Sequence, residues 1–228
     1  MTAYAVLGPE QDVSPGRLTF FRDGTRWEVI TYSADTIARA VTSISELAAA
    51  SASAWHRRGL PAQDGGLTAV LNIWDGVAVA GAERAAAHRR LLRAAGLRHV
   101  VSRMAALEAE KALDSALSLS YTGDHRSAVL SAHVAVGKTI DAFLAAAGTL
   151  YADSTWRHRR LEALVSDGAP APLTFDPESC WNWLSMRQLA DLSPVDWTRG
   201  AVAFCQAMLD SMTVLLQNHH TCPDLVVQ

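Results

Sequence analysis

The apolar period of this chain changes once, at Ser33, and that change divides a short β segment from a long helical one. Before it, residues 17–21 and 26–32 of RLTFFRDGTRWEVITY alternate apolar and polar side chains, the period of a strand with one covered face. Asp23-Gly24 between them supplies the positive φ angles of a tight hairpin turn. AYAVL at 3–7, closed by Gly8-Pro9, predicts a further short strand. After Ser33, the residues Ile37, Val41, Ile44 and Leu47 recur at spacings of 4, 3 and 3, which sets them on one face of a helix that Ser33 can cap.

Helix signals continue to the end. A short helix near 67–74 stops at Asp75-Gly76, and a long helical stretch over 82–121 breaks or bends at Gly96. Tyr121-Thr122-Gly123-Asp124 turns the chain into a helix striped by Val129, Val136, Ile140 and Phe143 and ended by Gly148, so these two segments should pack antiparallel. A helix over 153–165 follows. Asp176-Pro177 then starts a short one, and Ser193-Pro194-Val195-Asp196, close to a capping box, starts the last, from Trp197 to His219. The expected fold is mainly α: a small N-terminal antiparallel β-sheet or hairpin followed by an antiparallel helical bundle, α+β overall. The Gly- and Pro-bearing linker at 58–66 divides it into residues 1–58 and a bundle over 67–219, with 220–228 as a loose tail.

With half of its 228 residues apolar, the chain can bury a substantial core. A net charge of -3 gives no global attraction to nucleic acid or anionic lipid, and eighteen of the 20 basic residues are arginine, a bias that a GC-rich genome explains. The cysteines Cys180, Cys205 and Cys222 are odd in number and form no C-x-x-C pair, which argues against a disulfide framework or a zinc knuckle and suits a reducing cytoplasm. The N-terminal segment has no basic, apolar leader pattern, and no run of about 18 apolar residues occurs, so a soluble cytoplasmic protein without a membrane partner is expected.

Several short patterns invite a chemical reading. VGKT at 136–139 has the end of a phosphate loop, but Ala132 stands where the loop needs its first glycine and the context is helical. Residues 84–103 carry six arginines and two histidines against Glu83, either a phosphate or RNA surface or a solvated helix face. His219-His220-x-Cys222 has metal-ligating residue types without a second ligand pair nearby. Trp181, Trp183 and the nearby Trp156 stack a planar ligand or fill a seam between helices. Arg93 with His99, and Arg126 with His133, have five and six residues between them, similar to the R-x(4 to 6)-H signature of the all-helical HEPN domains, whose ribonuclease members cleave RNA with such a pair.

Taken in order, RLTFFRDGTRWEVITYSADTIARAV and SAVLSAHVAVGKTIDAFLAAAGTLYADSTWRHRRLEAL resemble parts of nucleotidyltransferase-superfamily proteins that carry a HEPN-like substrate-binding domain. In that family a Gly-Ser strand-turn-helix holds the nucleotide phosphates. An Asp-x-Asp pair and a third carboxylate from a later strand bind two magnesium ions that activate the acceptor for in-line attack. The resemblance puts Glu28 at the third carboxylate, and Lys138, Asp141, Trp156 and Arg159 in the helical segments that bring the acceptor. This sequence contains no Gly-Ser and no Asp-x-Asp. Magnesium would therefore be held only if residues missing from these segments completed the site.

The expected function is that of a nucleotidyltransferase-like protein with a degenerate centre, which binds a nucleotide, an RNA or a small-molecule acceptor in its helical domain. Alternatives are a small-metabolite enzyme that uses Glu28, His133 or Asp141 as acid or base, and a non-enzymatic partner that forms a homodimer or docks on a separate catalytic chain. Arg126, Lys138, Trp156 and Arg159 are the expected substrate-binding residues.

Overall fold

A computed structural model describes residues 2–7, 16–51, 55, 66–78, 80–150, 156–166 and 176–221. The chain is mainly helical with a small N-terminal sheet, as its period change implies, and it divides into two compact units, Met1–Val100 and Val101–Gln228. The 58–66 linker falls inside the first of these, and its residues 58–65 lie outside the described ones.

The first unit opens with strands β1 (Thr2–Leu7), β2 (Gly16–Arg22) and β3 (Thr25–Ser33). β2 and β3 form the expected antiparallel hairpin, and both turn residues have positive φ, 51° at Asp23 and 71° at Gly24. Only glycine adopts such an angle without cost, while aspartate tolerates it. β1 lies on the other side of β3 and runs parallel to it, Thr2 opposite Glu28 and Leu7 opposite Ser33, so the sheet order is β1-β3-β2 and the sheet is mixed. Alternation in the sequence reports which side chains share a face but carries no information on strand order.

Ser33 caps helix α1 (Ala34–Ala48), its Oγ accepting from the Thr36 amide at 3.1 Å. Ile37, Ile44 and Leu47 are buried, and the end of β3 is tied into this unit by Tyr32, whose phenol oxygen accepts from Asn72 Nδ2 at 3.3 Å. Asn72 belongs to α2 (Gly66–Asp75). The long stretch over 82–121 is two helices, α3 (Ala82–Ala94) and α4 (Leu97–Tyr121), broken at the expected glycine. Gly96 is required twice: its φ is +80°, and a Cβ there would stand 2.8 Å from the Ala48 Cβ. The basic run has a structural use as well. Arg89 of α3 donates to the Ile73 and Gly76 carbonyls, which the end of α2 leaves without helical partners.

In the second unit, the rest of α4 is followed by α5 (His125–Ala146), α6 (Arg157–Ser166), α7 (Pro177–Leu184), a 3-10 turn at Arg187–Ala190, and α8 (Pro194–Thr221). The core joins the stripe Val129, Val136, Ile140 and Phe143 of α5 to Trp197, Ala201, Cys205 and Met208 of α8, all buried. α4 and α5 run antiparallel: Ser102 Oγ donates to the Ala142 carbonyl at 2.8 Å, and further along Glu108 pairs with Lys138. Asp176 caps α7 and Ser193 with Asp196 caps α8, as the sequence signals, while Asp124, the last residue of the expected turn, caps α5. By length and composition alone, α5 and α8 could each cross a membrane; here they pack against each other in the core.

Candidate functional site

Glu28 lies in the first unit and the other six expected site residues in the second. On β3 it is directly opposite Thr19, with Arg17 its diagonal neighbour on the same face, and Arg17 Nε stands 3.1 Å from its carboxylate. Its side chain is 20% exposed, less than a simple surface residue would be. Among the described residues, no group of three or more His, Cys, Asp or Glu is placed to hold a metal ion. His219 and His220 lie in the last turn of α8, which ends at Thr221, and Cys222 lies outside the described residues.

α5 carries the densest set of candidates. Spacings of seven, four and four align Arg126, His133, Gly137 and Asp141 along one stripe, since three and a half to four residues complete a helical turn. Arg126, near the start of the helix, is exposed. His133 is engaged: its Nε2 lies 2.8 Å from the carbonyl oxygen of Leu184, the last residue of α7. The ring nitrogen is the donor there, because a carbonyl can only accept, and it satisfies a carbonyl at a helix C-terminus.

Asp141 meets Arg157 of α6 in a two-pronged pair, Nε to Oδ1 and Nη2 to Oδ2, both at 2.7 Å. The guanidinium also covers Gly137, where an added Cβ would approach it to 3.1 Å. Arg157 was not among the expected site residues. Its sequence signal was the glycine in mid-helix one turn before an acid, a costly choice unless something occupies the space. Lys138 points elsewhere, to Glu108 on α4.

The expected binding residues Trp156 and Arg159 come together at the start of α6. The Arg159 guanidinium lies 4.8 Å from the centre of the Trp156 ring, and both residues are exposed. A guanidinium stacked this way keeps its N–H edge free to meet a phosphate or carboxylate in its plane. Beside them in sequence, His158 stacks at a tilt on Trp181, ring centres 5.2 Å apart, and its Nε2 stands 3.3 Å from Glu162. The paired tryptophans of α7 thus separate: Trp181 stays at the surface, while Trp183 packs on Trp197, Phe204 and Gly200.

Nucleophilic chemistry has little to draw on in the core. Burial pushes the Cys180 thiol up to about 12, helped by Asp176, and that of Cys205 to about 11. Arg98, near the end of the basic run, is lowered first by burial and then by the neighbouring charge of Arg93. Arg93 itself lies 5.9 Å above the Trp74 ring, an aromatic contact that the run alone does not announce. Two shallow hollows lie on the described surface, on the hairpin between Phe20 and Trp27 and between α4 and α8 edged by Glu110, Asp114 and Asp210, and none of the seven expected site residues lines either of these. No family model matches this chain, and neither a curated protein nor a solved structure does.

Proposed function

We propose that this is a cytoplasmic, nucleotidyltransferase-like protein that binds a nucleotide on its helical unit and transfers nothing. One observation carries the reading: four of the expected site residues are committed to internal partners, Glu28 to Arg17, Asp141 to Arg157, Lys138 to Glu108 and His133 to Leu184, whereas Trp156 and Arg159 face solvent. Both oxygens of the Asp141 carboxylate are engaged by the Arg157 guanidinium, so turnover at Asp141 would require Arg157 to leave first and give a substrate access. An exposed indole under a guanidinium offers a stacking surface for a purine or pyrimidine and a cation for its phosphate. Glu28 alone supplies too few oxygen ligands for a divalent ion, and binding should not depend on magnesium.

The test is calorimetry with a panel of nucleoside mono-, di- and triphosphates, with and without magnesium, alongside an assay for transfer of labelled nucleotide. The expected result is magnesium-independent binding that Trp156→Ala and Arg159→Ala each weaken by roughly tenfold or more, the scale of a lost stacking or charged contact, with no label transferred. Absence of heat with every nucleotide, or binding indifferent to both substitutions, overturns the reading.

A further inference from the structure

We propose that two copies of this chain join edge to edge through β2, forming one continuous six-stranded sheet. β2 is at the end of the β1-β3-β2 order, and all seven of its residues, Gly16–Arg22, are exposed. Leu18 is 62% exposed and Phe21 75%, unusual for apolar side chains on a strand of regular register. An edge strand presents a row of backbone N–H and C=O groups that pair with any strand offered, and proteins blunt such edges with charged side chains, proline or a bulge. β2 has neither proline nor bulge, its pairing to β3 being one-to-one throughout, and its two charges, Arg17 and Arg22, flank the central Leu-Thr-Phe-Phe of GRLTFFR.

The occupant follows from the register. Outward-pointing backbone groups belong to alternate residues, so two copies of one strand join antiparallel only where a residue faces its own counterpart or another of the same parity. Thr19 is the middle residue of Gly16–Arg22, and the register centred on it is the one that uses the full strand. It sets Leu18 against Phe20 of the second copy and Arg17 against Phe21, with Gly16 facing Arg22. Phe20 already stacks on Trp27 at 6.3 Å, so Leu18, Phe20 and Trp27 from both copies form one apolar strip on a single face. No like charges are opposed. Arg17 is neutralised within its own sheet by Glu28, and Arg22 stands 3.7 Å from Asp23. The strand is thus complementary to itself in apolar pattern, Leu18 meeting Phe20, and in that register it opposes no like charges, which is what a second copy requires.

The register gives a test that general stickiness would not pass. Wild-type protein in analytical ultracentrifugation should sediment as a dimer in concentration-dependent equilibrium with monomer. Phe21→Arg places like charges opposite each other at both symmetry-related positions and should weaken the dimer by roughly tenfold. Phe21→Glu sets an acid against Arg17 and should leave the dimer intact or tighter. Thr19→Lys opposes two lysines at the centre and should give monomer, and far-ultraviolet dichroism checks that each variant is folded. Wild-type chain that stays monomeric at every concentration, or a dimer that Phe21→Arg and Phe21→Glu affect equally, overturns the proposal. It stands independently of nucleotide binding.

Discussion

Arg157 grips Asp141 with two hydrogen bonds of 2.7 Å while its guanidinium lies flat on Gly137, one turn earlier in the same helix. Glycine in a helix interior costs about 1 kcal/mol relative to alanine, and here the arginine occupies the place that a methyl group would take. Gly137→Ala should therefore bring no net stabilisation to the wild type, yet stabilise by about 0.5–1 kcal/mol once Arg157 is replaced by alanine. Urea denaturation of the four proteins in that double-mutant cycle measures the difference; equal effects of Gly137→Ala in both backgrounds would show that the contact is not what keeps the glycine.

The pair itself should matter more than the other ion pair of α5. Its side chains are 18% and 25% exposed, against 38% and 37% for Lys138 and Glu108. Asp141→Ala leaves a partly buried guanidinium without its acceptors and should cost about 1–3 kcal/mol. Lys138→Ala should cost less than about 1 kcal/mol, and that small effect should fade at high salt. Denaturation midpoints at low and high ionic strength separate the two.

His133 ties α5 to the last carbonyl of α7. Its replacement by alanine removes one side-chain hydrogen bond and should lower stability by about 1–2 kcal/mol, a cost that includes the stranded acceptor. Faster amide exchange confined to Pro177–Leu184 would mark the loss. If His133 instead served in RNA cleavage of the HEPN kind, the substitution would abolish nuclease activity and leave exchange in α7 unchanged.

Cys180 and Cys205 should resist alkylation in the native protein at pH 8 and react promptly in denaturant, as mass spectrometry can follow. Their folded values lie above the ordinary thiol value of 9. The sign of the linkage follows. Below pH 9 both states keep the proton and the stability is intact; above it the unfolded chain ionises first, so stability falls as pH rises toward 11 to 12. Cys180→Ala should flatten that alkaline decline.

Asp124 predicts the opposite direction. Its carboxylate accepts from the Ser127 amide at 3.1 Å, and hydrogen bonding to Ser127 holds it below its ordinary 3.8. A depressed carboxylate contributes stability above its unfolded value and loses it as pH falls through the folded one. Asp124→Asn keeps a capping oxygen and should remove that acid dependence from the α5 terminus, read as fraying of its first turn in amide exchange.

Local signals were the legible part of this sequence. The hairpin, each capping residue named from the sequence and the break at Gly96 all rest on chemistry within a few residues, and each is where the pattern puts it. Less legible was whatever depends on which elements meet. Nothing in RLTFFRDGTRWEVITY says that β1 will pair parallel to β3, nor that Arg17 will reach Glu28 across the hairpin. Trp156, Arg159, Asp141 and Lys138 could each be marked as candidates, but without any sign that Arg159 would lie over Trp156 or that Arg157 and Glu108 would hold the other two.

The placement of β1 also fixes an order of assembly. β2 and β3 are joined by two residues and can zip together in about 1–10 μs, as hairpins do. β1 pairs with β3 among the described strands and the whole of β2 intervenes in the chain, so its contact closes a longer loop and should form more slowly. The sheet is built outward from a strand third in sequence, and the first residues of the chain are among the last to find their neighbours.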